Sequence, residues 1–522
     1  MKTRNALEGI GAAFLILLPY YSKFLLPSNL VLYHLQLPVT NIIGGLLVDI
    51  FVYSILAMGF LVAIRCLSPG IQRVADAMFA GLMLWVIVDF AILIVINQGH
   101  PIENWGKVWW RSVIAVPLLS GALAYFLPCL CSPAVRAIRL VVAGFAFSSV
   151  WITPHLIRLM LAHQPANSIA LAQMFSSSDR DPGRRIIWIL FDELSYDQTF
   201  DHQVSGIRLP NFDRLHKESV SFSDLKPTGY QTDLIIPSLF LGQRINRIRS
   251  TIHGGLLYLD ESQHRWRDYN PNATLFGLAQ RNGWSPGIDG WVVPLCRILA
   301  PVLSACSWEP ISVLPKEEFD ASEEKSVLAN ALILPNRFLI ALTNKTTTPA
   351  DSHIADAHIQ DYRDIMAHAQ TLIDDGQARF IFLHLPLPHP PGIYDRTHHV
   401  LGPGGTYLDN LVLADKTLGL LMQDIDATPS AGQTTVIVSS DHSWRVPLWR
   451  HAEHWSDEEE HASGGRFDDR PVLLIHFPGQ KNGDDIDAAL PELLEHDFIV
   501  DMLRGQMNSP ENMASFLSPD KR

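Results

Sequence analysis

The sequence predicts a membrane-embedded α-helical bundle of five spans followed by an α/β sandwich with a largely parallel sheet. Three observations lead there. Charge is unevenly spread over the 522 residues: residues 1–159 hold five acidic and ten basic side chains, a balance of +5, whereas the remainder holds 48 acidic and 30 basic, a balance of −18. The chain is 48 % hydrophobic and 18 % charged, apolar for a protein wholly in water, and its longest apolar runs gather in the first third. The stretch Arg184–Asp197, RRIIWILFDELSYD, then sets six apolar residues between two arginines and two adjacent acids, Asp192 and Glu193. A short continuous apolar run with polar ends reads as a strand buried on both faces, and acids at its carboxyl end stand where open α/β sheets keep their sites.

The five apolar runs cover roughly 6–27, 42–64, 74–97, 109–128 and 137–158, each near the ~20 residues a helix needs to cross a bilayer. The first begins with Lys2 and Arg4, lacks a small-residue cleavage site and is followed by more spans, so it reads as a signal anchor. Lys2 and Arg4, Arg65 and Arg73, and Arg136 and Arg139 fall on one side if all five runs cross. The positive-inside rule makes that side the cytoplasm and puts everything after residue 158 outside. Asp49 and Asp89 fall within the second and third runs, where an ionisable group either lines a polar path for a headgroup or makes an interhelical hydrogen bond.

The expected division is a transmembrane domain at 1–158, a linker at 159–183 and a catalytic domain at 184–522. In the last, strand-like runs at Ile186–Phe191, Arg379–His384, Thr435–Ser439 and Val472–Phe477 alternate with helix-like stretches at Asn211–Glu218, Ala355–Asp374, Tyr407–Asp424 and Ile486–Leu494. That alternation is the pattern of an α/β sheet. The balance of −18 after residue 159 excludes a polybasic nucleic-acid surface there. Cys296 and Cys306, ten positions apart, suit a disulfide if this part is exported; two unpaired buried thiols fit the spacing equally.

Four features carry chemistry. Asp192, with Glu193 beside it, ends the opening strand. Thr232, in GYQTDLIIPSLFLG, follows a glycine turn and opens a helix-compatible run. A hydroxyl at a helix mouth meets the positive end of the dipole, which suits an alkoxide and the phosphate it attacks; taken alone it is an ordinary N-cap threonine. Asp441 and His442 end the strand in TTVIVSSDHSWR, and carboxylate plus imidazole is ordinary zinc chemistry. His389, in FIFLHLPLPHPPGIY, is stiffened by prolines and can donate to a phosphoryl oxygen or protonate a leaving group. His384, inside that strand, reads as a satisfied core residue.

IIWILFDE at 186–193, LPNFDRL at 209–215, TxxxxPS at 232–238, LPHPP at 387–391, YLDNLVLADKTLGLLM at 407–422 and SSDH at 439–442 occur in this order. The ordered set resembles the sulfatase/alkaline-phosphatase superfamily, and within it the membrane-anchored branch of phosphoethanolamine transferases and lipoteichoic acid synthases. The resemblance implies an alkaline-phosphatase-like sandwich and a divalent metal, zinc first, with Mn2+, Mg2+ or Ca2+ as alternatives. It implies metal ligation by Asp192, Thr232, Asp441 and His442, with Glu193 as a candidate second acid, Thr232 as nucleophile and His389 facing substrate. It further implies an enzyme of the bacterial cytoplasmic membrane with its catalytic domain periplasmic or extracellular. Such an enzyme moves a headgroup such as phosphoethanolamine or phosphoglycerol from a membrane phospholipid donor to an envelope glycan or lipid acceptor. The alternative is a hydrolase of the same superfamily, a phosphodiesterase or sulfuric ester hydrolase. The sulfatase motif C/S-x-P-S-R is absent at Thr232-Asp-Leu-Ile-Ile-Pro, which argues against sulfate-ester hydrolysis.

Overall fold

A computed structural model describes residues 2–25, 31–34, 39–97, 105–162, 183–309, 350–452 and 455–518. Most of the expected linker at 159–183 lies outside them. The chain divides into two compact units, a helical one formed by the N-terminal third and an α/β one that begins ahead of Arg184.

The helical unit contains α1 (Lys2–Ile16), α2 (Leu18–Leu25), α3 (Val39–Ile64), α4 (Pro69–Asn97), α5 (Trp105–Phe126), α6 (Pro128–Phe145) and α7 (Ser149–Leu161). Among the described residues three helical stretches are long and apolar enough to cross a membrane, Thr40–Ile64, Pro69–Ile92 and Pro128–Leu161, where the sequence reading counts five. The first expected span is divided into α1 and α2 at a turn on Leu17, two residues ahead of Pro19, since proline withholds the N–H a continuous helix needs. The described apolar part of the fourth is the shorter Arg111–Phe126, and the fifth lies within the long run that starts at Pro128. Large apolar side chains point outward, Phe51, Leu119, Leu140 and Trp151 among them, as on a surface that meets lipid and not water. Inside, Ala12, Leu15, Leu61, Phe79, Met83 and Val142 form a core. Asp49 is buried within α3 and Asp89 half-buried within α4. The buried Arg139 of α6 donates to both Glu8 of α1 and Asp76 of α4, tying three helices with paired charge.

The α/β unit is built on an eight-stranded sheet. Its strands are β1 (Arg185–Asp192), β2 (Val220–Phe222), β3 (Pro286–Trp291), β4 (Ala305–Glu309), β5 (Phe380–Pro388), β6 (Thr434–Ser440), β7 (Leu473–His476) and β8 (Asp484–Ile486). They lie in the order β8-β2-β7-β6-β1-β5-β3-β4. β1 runs parallel to both β6 and β5, and β3 parallel to β5 and β4; β7 is antiparallel to β6 and β2. β1 is buried at every position, as a central strand covered on both faces must be. Trp188 meets Phe240 of α9 (Thr232–Leu241) at 5.7 Å between ring centroids. Phe191, on the opposite face, meets Phe212 of α8 (Pro210–Lys217) at 5.5 Å. The face with α8 is also covered by α10 (Ala350–Asp374) and α11 (Tyr407–Ala427).

The four expected strands are all present with ends within a few residues, and the helices at 211–218, 355–374 and 407–424 likewise. The expected helix Ile486–Leu494 is not one. Ile486 ends β8, Leu490–Pro491 pairs with Leu225–Lys226, and the helix α12 begins at Leu494 and ends at Leu503. Pro491 supplies no N–H for a helix across 486–494, which weighs against one there, although α9 accommodates Pro237. Cys296 and Cys306 are joined in a disulfide, their Cα atoms 5.5 Å apart.

Candidate metal centre and nucleophile

Parallel pairing brings the site together. Asp192 ends β1 opposite Pro388 of β5, one residue before His389; Phe191 lies opposite Ser440 of β6, one residue before Asp441. Three strand ends thus deliver Asp192, His389 and Asp441 to one edge. Asp192 shares its strand parity with Trp188, so its carboxylate points to the face covered by α9. The first residue of α9 is Thr232.

Thr232 does not cap its helix. Its hydroxyl donates to Asp441 Oδ2 at 2.8 Å and lies 3.3 Å from Asp192 Oδ2 and 3.5 Å from His442 Nε2. Asp441 is anchored through its other oxygen, which accepts the backbone N–H of Glu193 at 3.2 Å and of His442 at 2.8 Å. The Nδ1–H of His442 donates to the Ser443 carbonyl at 3.1 Å, which turns Nε2 toward the carboxylates, 3.2 Å from Asp441 and 4.0 Å from Asp192. His384 does the same: Nδ1–H donates to the Trp291 carbonyl at 2.9 Å and Nε2 stands 3.4 Å from Asp192 Oδ2. Asp192, His384, Asp441 and His442 are all essentially inaccessible to solvent.

These groups suit a cation. Asp192 Oδ1 and His384 Nε2 are buried with no hydrogen-bond partner, although buried polar atoms are normally satisfied. Ligand atoms of Asp192, His384 and Asp441 lie within 4.8 Å of one another. Acceptors thus outnumber protons in a closed space, and the oxygen and nitrogen donors are those of zinc or a related divalent ion. Electrostatics agree. Burial works against charge on Asp192; protonated rings at His389, His384 and His442 would outweigh it and hold the carboxyl well below the usual range, and a bound cation would do so with those rings neutral. Burial, then the charge of Asp192, push Asp441 up. Two close carboxylates divide in this way when both are not free to ionise.

The second acid has another part. Glu193 adopts φ 66°, and its carboxylate accepts Nε–H of Arg445 and, at 2.8 and 3.0 Å, the indole N–H of Trp449. Burial raises its pKa against the pull of Arg445. Its oxygens and a ring nitrogen of His389 come within 4.8 Å of an Asp192 oxygen, so Glu193 borders the cluster while held by donors of its own. His389 lies in the wall between the rings of Trp291 and Trp449, and Arg445 Nη2 donates to its Nε2 at 3.2 Å. Burial pushes its pKa down to about 3, leaving a neutral ring.

Sequence reasoning did not place His384, Arg445 or Trp449 in the site. His384 pairs in register with Leu190 of β1, two residues before Asp192, and a histidine inside an otherwise apolar strand beside an acid-ended one was its signal. Arg445 follows Asp441 by four residues in SSDHSWR, where a cation beside the carboxylate–imidazole pair was visible but unassigned.

No family model matches the chain, and no curated protein matches it. Among solved structures it is similar to Ps i-CgsB in complex with k-i-k-neocarrahexaose, at 14 % identity over 63 % of this chain and 74 % of that one, with a TM-score of 0.40. It is similar to a protein of the alkaline phosphatase superfamily from Vibrio parahaemolyticus, at 15 % identity over 62 % and 67 %, TM-score 0.35. A third is the phosphonate monoester hydrolase of Agrobacterium radiobacter, at 14 % identity over 62 % and 74 %, TM-score 0.34.

Proposed function

We propose that the protein is a metal-dependent phosphotransferase that takes the headgroup of a membrane phospholipid onto Thr232 and passes it to an envelope glycan or lipid. The observation that carries this reading is the Thr232 hydroxyl, 2.8 Å from Asp441 Oδ2 at the first turn of a helix and beside Asp192 and His442. Asp192, Asp441, His442 and His384 would hold a divalent ion, zinc first. Once bound, it lowers the pKa of the neighbouring hydroxyl and polarises a phosphoryl oxygen.

The chain's own groups do the rest. The Thr232 oxygen forms a bond to phosphorus while its proton passes to Asp441, its hydrogen-bond acceptor. The bond from phosphorus to the glycerol oxygen breaks, and diacylglycerol leaves with the proton that Asp441 received from Thr232. The first turn of α9 and the Arg445 guanidinium favour the phosphoryl charge. In the second half an acceptor hydroxyl gives its proton to Asp441 and attacks the same phosphorus; the Thr232–phosphorus bond breaks and the Thr232 oxygen takes that proton back. His389, fixed between Trp291 and Trp449, borders the path of both alcohols. The apolar helices of the first unit would keep the site near its lipid donor.

The test is mass spectrometry of the full chain in lipid nanodiscs supplied with a labelled phospholipid. A headgroup on the Thr232 peptide with no free headgroup released is the expected result. Steady release to water would make the enzyme a phosphodiesterase with the same residues. No adduct, no turnover and no bound metal would overturn the enzymatic reading.

A further inference from the structure

A second site stands at the other end of the same strands. Arg184 precedes β1, Trp284 precedes β3 and Arg379 precedes β5. These strands are neighbours in the sheet, so the residues meet at its amino edge. With Asn282, Leu503 and Arg504 they line a cavity of about 340 Å³. The eight-residue β1 separates this edge from Asp192 by about 25 Å at ~3.3 Å per residue.

The cavity is built from groups held in place. The guanidinium of Arg379 lies 5.0 Å over the Trp284 ring and donates to the Arg184 carbonyl at 3.2 and 3.4 Å. Trp284 is fixed by its indole N–H, which donates to the Leu503 carbonyl at 3.0 Å. The Arg184 guanidinium approaches the backbone beside Arg504 so closely that a Cβ on Gly505 would stand 2.6 Å from Nη2. The contrast with Arg185 is informative. Arg185 is buried and donates to the carbonyls of Leu372, Ile373 and Ala378; burial lowers its pKa against the opposing charges of Asp375 and Asp374. Arg184 and Arg504 are exposed, and among the described residues neither forms an ion pair. In a domain with a large acidic excess, two exposed guanidinium groups with no ion pair among the described residues line one cavity, where an anion would meet both.

We propose that this cavity binds a phosphate-bearing anion, with Arg184 and Arg504 as its charged fork and Arg379 on Trp284 as its floor. Planar guanidinium groups match phosphate oxygens two at a time, and stacking on the indole holds one of them oriented before the ligand arrives. The volume suits a headgroup or a small phosphorylated compound. The site does not draw on the phosphotransfer reading, so either can fail alone.

The experiment uses the full chain in a nonionic detergent and equilibrium dialysis against radiolabelled inorganic phosphate. The Thr232→Ala protein, which forms no covalent adduct, is compared with the same protein carrying the double change Arg184→Gln/Arg504→Gln. The double variant is expected to bind one phosphate fewer per chain, or to bind it at least about tenfold more weakly. Dihexanoyl phosphatidylglycerol and dihexanoyl phosphatidylcholine are then added as competitors. Displacement by the phosphatidylglycerol but not the phosphatidylcholine identifies an anionic lipid headgroup as the ligand; displacement by neither identifies a soluble phosphate; both results support the site. Equal phosphate binding by the two proteins, with equal melting temperatures, overturns it. If the double variant does not fold, Arg504→Gln alone gives the same readout.

Discussion

Arg445 donates its Nε–H to the buried carboxylate of Glu193, and this bond joins the end of β1 to the loop that follows Asp441 and His442. The same guanidinium reaches His389 Nε2 at 3.2 Å and the Tyr230 carbonyl at 3.4 Å. One side chain therefore spans three segments that arrive from distant parts of the sequence. Removing one partner of a buried pair leaves the other charge uncompensated, so Glu193→Ala should destabilise the α/β unit by about 3 kcal/mol. Thermal melting of the full chain measures this. A loss no larger than that of a surface substitution would show the pair to be incidental.

His384 is expected to matter to metal content as well as to packing. Its Nε2 faces Asp192 Oδ2 and has no other partner. His384→Ala should lower bound divalent metal at least about tenfold, within the range found when groups around a metal are lost. Elemental analysis after dialysis reads this directly. Wild-type metal content in the variant would return His384 to the core role its strand position suggests.

Glu495 makes stability depend on pH. It lies in α12, fully buried, and burial raises its pKa to about 8 despite hydrogen bonds with Ser439 and Trp188. Between the ordinary value of 4.5 and about 8, the folded state holds a proton that the unfolded state has lost. Stability contributed by this group is therefore full below 4.5 and falls as pH rises through the window, by about 1.4 kcal/mol per unit of displacement. Glu495→Gln should melt higher than wild type at pH 8 and no higher at pH 4. Parallel melting curves across that range would exclude the effect.

The Cys296–Cys306 bond closes a short loop at the far side of the sheet, between β3 and β4. Cys296→Ser/Cys306→Ser should lower stability by about 2–3 kcal/mol, the scale for loops of this length. Turnover at 25 °C should hold, because neither cysteine touches the metal cluster. A variant that melts normally but loses turnover would give the loop a part in the site.

How much of this was visible in the residues differs by region. Short buried runs that end in an acid or an acid–histidine pair, such as Ile186–Phe191 and Thr435–Ser439, declare their burial and mark the candidate site residues. β3, PGIDGW, does not: its proline and glycines imitate a turn, yet Gly287 lies against Ala378 and Leu372, where a Cβ would come within 3.1 Å of the alanine. Close approach of neighbouring chain is a tertiary fact with no local signature. Within the site, Asp192, Thr232, Asp441 and His442 were readable from position and meet in space, as the hydrogen bonds show. Glu193 illustrates the limit. Adjacent to Asp192 in sequence, it lies just past the end of β1 in left-handed backbone, which turns its side chain away from that of Asp192. Its carboxylate is taken by Arg445 and Trp449, which lie more than 250 residues along the chain. In the helical unit, hydropathy marked the apolar runs, but the break at Leu17 ahead of Pro19 depended on backbone chemistry that a sliding average does not register.

The left-handed backbone at Glu193 carries one more implication. A φ of 66° strains any residue other than glycine, and here it rotates the peptide so that its N–H meets Asp441 Oδ1 at 3.2 Å. Only the other oxygen of Asp441 then remains to face Thr232. Glycine at this position would relax the torsion but delete the carboxylate that holds Arg445. Alanine or glutamine would keep the torsional cost and weaken its restraint. The position thus accepts a conformational penalty that simple relief cannot improve. Natural variation there should be confined to side chains that both tolerate the twist and clasp a guanidinium.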